Sequence, residues 1–292
     1  MRTGTYQMRP LAGHQGSLIC LEATSKQLIS ASNDQTIKIW DLETGNELKS
    51  IDSYQPSFSC VEIKDGMLLT GCWDQTIEIF DLASGKKLYS IDSRQSLINC
   101  LEVKDGMLIS GSLDQTIKIW KLESGEELYC LNGHQAGVNC LEVKDGKLIS
   151  GSVDTTIKIW DLATGKELHS LNGHQGSINC LKVIDGMIIS GSDDGTIKIW
   201  DLETGKEIQS LAAHGGSIFC LEATDKLLFS GSADQTIKIW DLESGEELYC
   251  LNGHQSSAYC LKVKDGMLIA GDENGAIKIW DFNPTIENTH IN

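Results

Sequence analysis

Histidine, serine and aspartate recur together along this chain, and that trio is the raw material of nucleophilic catalysis. In one stretch the set is His134, Ser150 and Asp154, followed by Trp160. The same residue types return at the same spacing through most of the chain, whereas an active site is needed once. No residue is therefore assigned a catalytic role. The cysteines invite a different chemistry. Seven of the ten stand at Cys20, Cys60, Cys100, Cys140, Cys180, Cys220 and Cys260. An odd number spread evenly suits neither disulfide pairing nor four-coordinate zinc, and no Cys-x-x-Cys occurs. They read as small buried hydrophobes in a reducing compartment. Asp193-Asp194-Gly195 lacks the further carboxylates of a calcium loop. There is no glycine-rich phosphate loop, zinc-protease helix or dinucleotide fingerprint, so neither metal nor cofactor is expected.

These spacings are one period met several times. Trp40, Trp120, Trp160, Trp200, Trp240 and Trp280 lie on a 40-residue grid, with Phe80 in the missing place. Ahead of them stand Asp34, Asp74, Asp114, Asp154, Asp194 and Asp234, with Asn274 last. Seven units account for 280 of the 292 residues without insertion, and segments 114–135 and 234–255 differ only at Lys121 and Asp241. Each unit reads as four short strands. In the third, residues 98–103, 107–110, 116–120 and 127–131 alternate or run apolar, and Asp105-Gly106 supplies the positive φ angles of a tight hairpin. The expected fold is all-β, a seven-bladed β-propeller of four-stranded antiparallel blades. The last unit ends on its third strand, and residues 6–11 align with fourth strands elsewhere. They are expected to supply the outer strand of the last blade and close the ring, where Pro10 is tolerable. Residues 1–282 then form one domain and 283–292 a polar tail.

Composition excludes several partners. Lys plus Arg total 24 against 41 Asp plus Glu, a net charge of −17, and the only arginines are Arg2, Arg9 and Arg94. Such a chain is a poor holder of a phosphate backbone, so no nucleic acid is expected. No run of about 18 apolar residues exists, and the first residues carry no secretory signal, so no membrane partner is expected either. A cytoplasmic monomer is the expectation. Lys38, Lys118, Lys158, Lys198, Lys238 and Lys278 read as a solvent-facing stripe on the third strands.

The Gly-His pairs (Gly13-His14, Gly133-His134, Gly173-His174, Gly253-His254), the run Ser190 to Asp194 and endings such as Trp200-Asp201 make the chain resemble WD40-repeat β-propellers over essentially its whole length. The short first hairpin, as in 139–146, is most similar to the blades of F-box/WD40 substrate receptors. The resemblance implies that His134, Asp154, Ser150 and Trp160 form a hydrogen-bonded tetrad tying one blade's turns together. It also implies a non-enzymatic scaffold binding protein or peptide partners on the channel face. The narrower expectation is the substrate-recognition propeller of a ubiquitin-ligase-like protein whose F-box is absent here. The alternative of another class is a propeller hydrolase or lyase using the channel face.

If the repeated columns are structural, partner contacts fall where the units disagree. One varying column reads Asn33, Trp73, Leu113, Val153, Asp193, Ala233 and Glu273; the other reads Ile19, Ser59, Asn99, Asn139, Asn179, Phe219 and Tyr259. By resemblance both open on the channel face, and Trp73, Phe219 and Tyr259 are the kind of anchor that dominates interface energies. Units two and three replace Gly-His with Ser53-Tyr54 and Ser93-Arg94, so Tyr54, Phe58, Trp73, Arg94 and Leu113 are expected to line a patch between neighbouring blades. Phosphodegron-reading relatives place arginines in these two columns, and this chain has neither Arg nor Lys there. The expected partner is thus a neutral or basic peptide with apolar anchors, not a phosphopeptide.

Overall fold

Residues 107–121 show how the sequence builds a sheet. Met107–Ser112 and Ile117–Lys121 pair antiparallel, Leu108 opposite Trp120 and Ile109 opposite Ile119. Asp105 and Gly106 both take positive φ (50° and 76°), turning the chain from Ile98–Lys104 into Met107–Ser112 as the Asp-Gly pair requires. Glu126–Leu131 adds the fourth strand. The computed structural model describes residues 6–52 and 58–282, and these form seven such four-stranded sheets. We number them blades 1 to 7: residues 18–52, 58–92, 98–131, 138–171, 178–212, 218–252 and 258–282. The proposed tail, 283–292, lies outside the described residues.

Blade 7 takes its fourth strand from the other end of the chain. Tyr6–Leu11 pairs antiparallel with Ile277–Phe282, Pro10 opposite Lys278, as expected. Leu11 is buried. The Arg9 guanidinium donates to the Glu43 carbonyl at 2.7 Å and to that of Leu42, so the same strand clasps a turn of blade 1.

The chain divides into two compact units. One spans 54–218; the other joins the N-terminal 53 residues to 219–292. Within the first, the inner strands of consecutive blades approach closely. A Cβ on Gly111 would lie 2.6 Å from Cys100 Sγ and 2.8 Å from Val138 Cγ1 of the next blade, so only glycine fits. The grid cysteine is small for the same reason, and its desolvated thiol is pushed up to about 12 at Cys180. At the rim, Tyr129 Oη donates to the Ala163 carbonyl of the next blade at 3.1 Å. In the second unit a Cβ on Gly271 would likewise lie 2.8 Å from Leu18 Cβ of blade 1.

The third-strand lysines correct one expectation. Covered on both faces by neighbouring blades, these strands bury residues on both sides, Ile117 and Ile119 on one and Trp120 on the other. The lysines are partly buried rather than solvent-facing: Lys118 Nζ sits 5.3 Å from the Trp120 ring and 2.9 Å from Glu127. The same pairing recurs at Lys38–Glu47, Lys158–Glu167, Lys198–Glu207 and Lys238–Glu247. Blade 2 inverts it, with buried Glu78 held 2.6 Å from Lys87.

Deleting residues 1–12 removes a whole strand ladder and the buried Leu11, a loss of at least about 3 kcal/mol. Circular dichroism melting of the truncated chain should show Tm lower by roughly 6 °C or more; an unchanged Tm contradicts the strand's role.

Candidate interaction surface

The Ser/His/Asp sets are buried braces. In blade 4 the Trp160 indole N–H donates to Ser150 Oγ (2.9 Å), whose hydroxyl lies 2.7 Å from His134 Nε2. His134 Nδ1–H donates to Asp154 Oδ2 at 2.9 Å, and that oxygen also accepts the Gln135 N–H. Thr156 N–H and hydroxyl donate to Oδ1. Because the Asp154 carboxylate can only accept, Nδ1 carries the proton, and the neutral ring then takes the Ser150 hydroxyl proton at Nε2. Blades 1 and 5 repeat the chain through His14 and His174. Ser150 is 0 % exposed, so its hydroxyl meets no substrate and this set is no nucleophile.

Two blades rebuild the brace in ways the sequence grid did not announce. In blade 3, Arg94 takes a left-handed φ of 53° and the next residue, Gln95, turns inward. Gln95 Oε1 accepts from Ser110 and its Nε2 donates to Thr116 Oγ1, whose hydroxyl donates to Asp114, so an amide replaces the imidazole at the serine and reaches the aspartate through the threonine. In blade 7 the carboxylate partner is Asp272, 2.8 Å from His254 Nδ1, and not the Asn274 of the aspartate column. There Ala270 replaces the serine, and His254 Nε2 and Ser256 Oγ are buried without a partner. Blade 2 substitutes Thr70 and Phe80 and lacks the indole donor.

The varying columns divide by exposure. Trp73, Leu113 and Val153, in the turns of blades 2, 3 and 4, are 63 %, 52 % and 41 % exposed. Leu113 and Val153 adjoin across Gly137: a Cβ on Gly137 would meet Leu113 Cδ1 at 3.0 Å, and the Gly137 carbonyl accepts the Val153 N–H; Trp73 holds the same turn position one blade earlier. In blade 5 the same position is exposed Asp193, whose Oδ1 accepts from Asn179 Nδ2 at 2.8 Å. Arg94 extends into solvent 3.6 Å from Asp92. Phe219 and Tyr259, both partly buried, stack with centroids 4.7 Å apart. Tyr54 lies outside the described residues.

Phe58 is not a surface residue. It is 4 % exposed, at the strand position held by Leu18 and Ile98 in other blades, so it belongs to the core. The inner-strand asparagines are largely engaged: the amides of Asn99, Asn139 and Asn179 donate to the carbonyls of Val138, Ile178 and Ile218 at 3.1, 3.1 and 3.2 Å.

A further column escaped the sequence reading. Glu102 is pushed up to about 7 by burial beside Glu142, whose nearest cation is Lys182 at 3.2 Å. In the other unit Lys262 lies 2.9 Å from Glu22 and 3.8 Å from Glu222. The run of acids at 22, 62, 102, 142 and 222, broken by Lys182 and Lys262, was the available signal. Among the described residues no group of three acidic, histidine or cysteine side chains is arranged to hold a metal, and no helix is long and apolar enough to cross a membrane.

Three outcomes test this account. Burial holds His14, His134 and His174 below the usual histidine range against the pull of their aspartates. Desolvation works to raise Asp34, Asp154 and Asp194, but hydrogen bonds led by the threonine hydroxyls outweigh it and leave them at about 2. The unfolded chain therefore binds protons more readily, and stability falls as pH drops below about 6.5. Glu102 acts oppositely, disfavouring folding as pH rises through 7. In a Glu102→Gln background Tm should fall steadily from pH 7 to 5, and that substitution should raise Tm at pH 8 but not at pH 5. Second, Ala270→Ser restores the missing hydroxyl and should add roughly 1–2 kcal/mol to the unfolding free energy in denaturant titration. Third, His134→Ala opens a cavity, leaves the Ser150 hydroxyl proton without its acceptor and takes one of the donors from Asp154, and should cost roughly 2–4 kcal/mol by the same titration.

The comparisons with known proteins agree with this geometry. The WD domain, G-beta repeat family matches residues 5–41, 85–121, 125–161, 165–201, 205–241 and 245–281, and the unmatched 42–84 holds the first three strands of blade 2, which carry Thr70 and Phe80. The crystal structure of the WD40 β-propeller domain of Doa1 is similar, with TM-score 0.86 and 26 % identity over 97 % of this chain and 99 % of that one. The computationally designed Ika8 protein is similar with TM-score 0.78 and 32 % identity, over 93 % and 98 %. These likenesses and the seven four-stranded sheets make the fold a seven-bladed β-propeller. Among curated proteins, a probable E3 ubiquitin ligase complex SCF subunit sconB of Talaromyces stipitatus is 40 % identical over 48 residues, 16 % of this chain. Its counterpart from Neosartorya fischeri is 44 % identical over 46 residues. The chain spans about 7 % of the length of these relatives in those matches.

Proposed function

The chain belongs to the WD40 family, and from that membership we propose that it is a non-enzymatic interaction scaffold that binds a protein or peptide through the turn face carrying Trp73, Leu113 and Val153. The observation behind this reading is that strip. Three large apolar side chains stand exposed in consecutive blades, in a column that carries Asn33, Asp193 and Glu273 in other blades. Single exposed apolar residues are ordinary, but a contiguous strip rimmed by polar groups is the mark of a docking surface. Phe219 and Tyr259 offer aromatic area in the other varying column.

The partner is not a phosphopeptide. Neither varying column holds a cation, and Arg94, the only arginine of its unit, lies within ion-pair distance of Asp92. An enzyme using the same face gains no support from the repeated sets, because their serines are sealed. A narrower reading, the substrate-recognition propeller of an SCF-type ligase, draws on the short likeness to sconB. That stretch is little longer than one repeat, so it supports the repeat more than the ligase.

Trp73→Ala should reduce capture of the natural partner more than about tenfold while shifting Tm by less than about 2 °C, measured by affinity pull-down beside thermal melting. Undiminished capture contradicts the reading.

A further inference from the structure

The strip of exposed turn residues changes character at one end, and the change carries chemical information. From blade 2 to blade 5 the positions read Trp73, Leu113, Val153 and Asp193, all within one compact unit. The first three are apolar and exposed. The fourth is a carboxylate held in place by Asn179, which donates to its Oδ1 at 2.8 Å; among the described residues its other oxygen has no partner. A carboxylate fixed by an amide and left half-satisfied is positioned to accept from a donor on an incoming molecule.

The surrounding charge selects that donor. Lys118, Lys158 and Lys198, which could have supplied cations near these blades, are drawn onto Glu127, Glu167 and Glu207. Arg94, at the edge of blade 3, has its counter-ion in Asp92. With a net charge of −17, the molecule repels acidic ligands, nucleic acid and a second copy of itself, and attracts a basic one. We propose that this strip takes an extended peptide whose apolar side chains lie on Trp73, Leu113 and Val153 and whose Lys or Arg pairs with Asp193. This rests on the interaction reading above and adds to it the chemistry and order of the partner segment, apolar residues first and the basic one toward blade 5.

The test is a displayed library of random twelve-residue peptides selected against the purified chain and three variants. Wild type should enrich peptides that place Lys or Arg at a fixed spacing from an apolar pair. Asp193→Asn keeps the Asn179 hydrogen bond and loses the charge, and should reduce the affinity of those peptides about two- to fivefold, the range of an exposed ion pair. Asp193→Ser, which does not depend on the retained amide contact, should do the same. Enriched peptides without a basic preference, or with a preference both Asp193 variants preserve, overturn this inference while leaving the interaction reading intact. Recovery of acidic or phosphorylated-mimic sequences overturns it too. Peptides bound equally well by Trp73→Ala, or no enrichment at all, overturn the interaction reading and this inference together.

Discussion

The blades depend on a buried hydrogen-bond chain that loses stability wherever a member is missing. In blades 1, 4 and 5 indole, hydroxyl, imidazole and carboxylate occupy the turn end, largely buried, and each unmade bond there costs roughly 1–3 kcal/mol. In blade 4 every member is satisfied: Trp160 to Ser150, Ser150 to His134, and His134, Gln135 and Thr156 to Asp154. The chain ties the loop before a blade's first strand to the turn between its second and third strands, so one network sets the positions from which Leu113 and Val153 project.

That constraint explains how the unusual blades differ. Blade 3 has lost its histidine, yet Gln95, entering one residue later beside a left-handed Arg94, restores the bond to the serine and reaches Thr116 in place of the aspartate. Blade 7 keeps histidine and moves the carboxylate to Asp272, but the alanine at 270 leaves two polar atoms without partners. Blade 2 has no indole, and its inverted Glu78–Lys87 pair retains the ionic contact while the charges trade places. The turn column is free to vary in residue type because the brace beneath it fixes the backbone from which it projects.

Much of this was legible because a period of 40 residues repeats each constraint. The hairpin at Asp105-Gly106, the third strand ending at Trp120 and the complementary strand 6–11 followed from spacing alone, since turn geometry and the alternation of side chains are local. Gln95 was not legible: substitution by a neighbour shifted one place breaks the column that a grid compares. Phe58 was misplaced among surface residues because an aromatic beside a variable loop resembles an anchor, while its column, shared with Leu18 and Ile98, marks the core. The third-strand lysines misled because burial of both faces comes from blades far away in sequence. Glu102 is not legible from its column because its unusual proton affinity arises from burial and, after that, from Glu142 in the next blade.

The central claim is that the recurring serine, histidine and aspartate are locked into structure and the chemistry of recognition lies elsewhere. Nitrogen-15 NMR of the imidazoles between pH 8 and 5 tests it most directly. The account predicts that His14, His134 and His174 are neutral Nδ1–H tautomers at pH 7, with titration displaced below the usual histidine range. Imidazolium at pH 7, or the Nε2–H tautomer, would contradict it, because Nε2 could then no longer hold the serine proton that completes the brace.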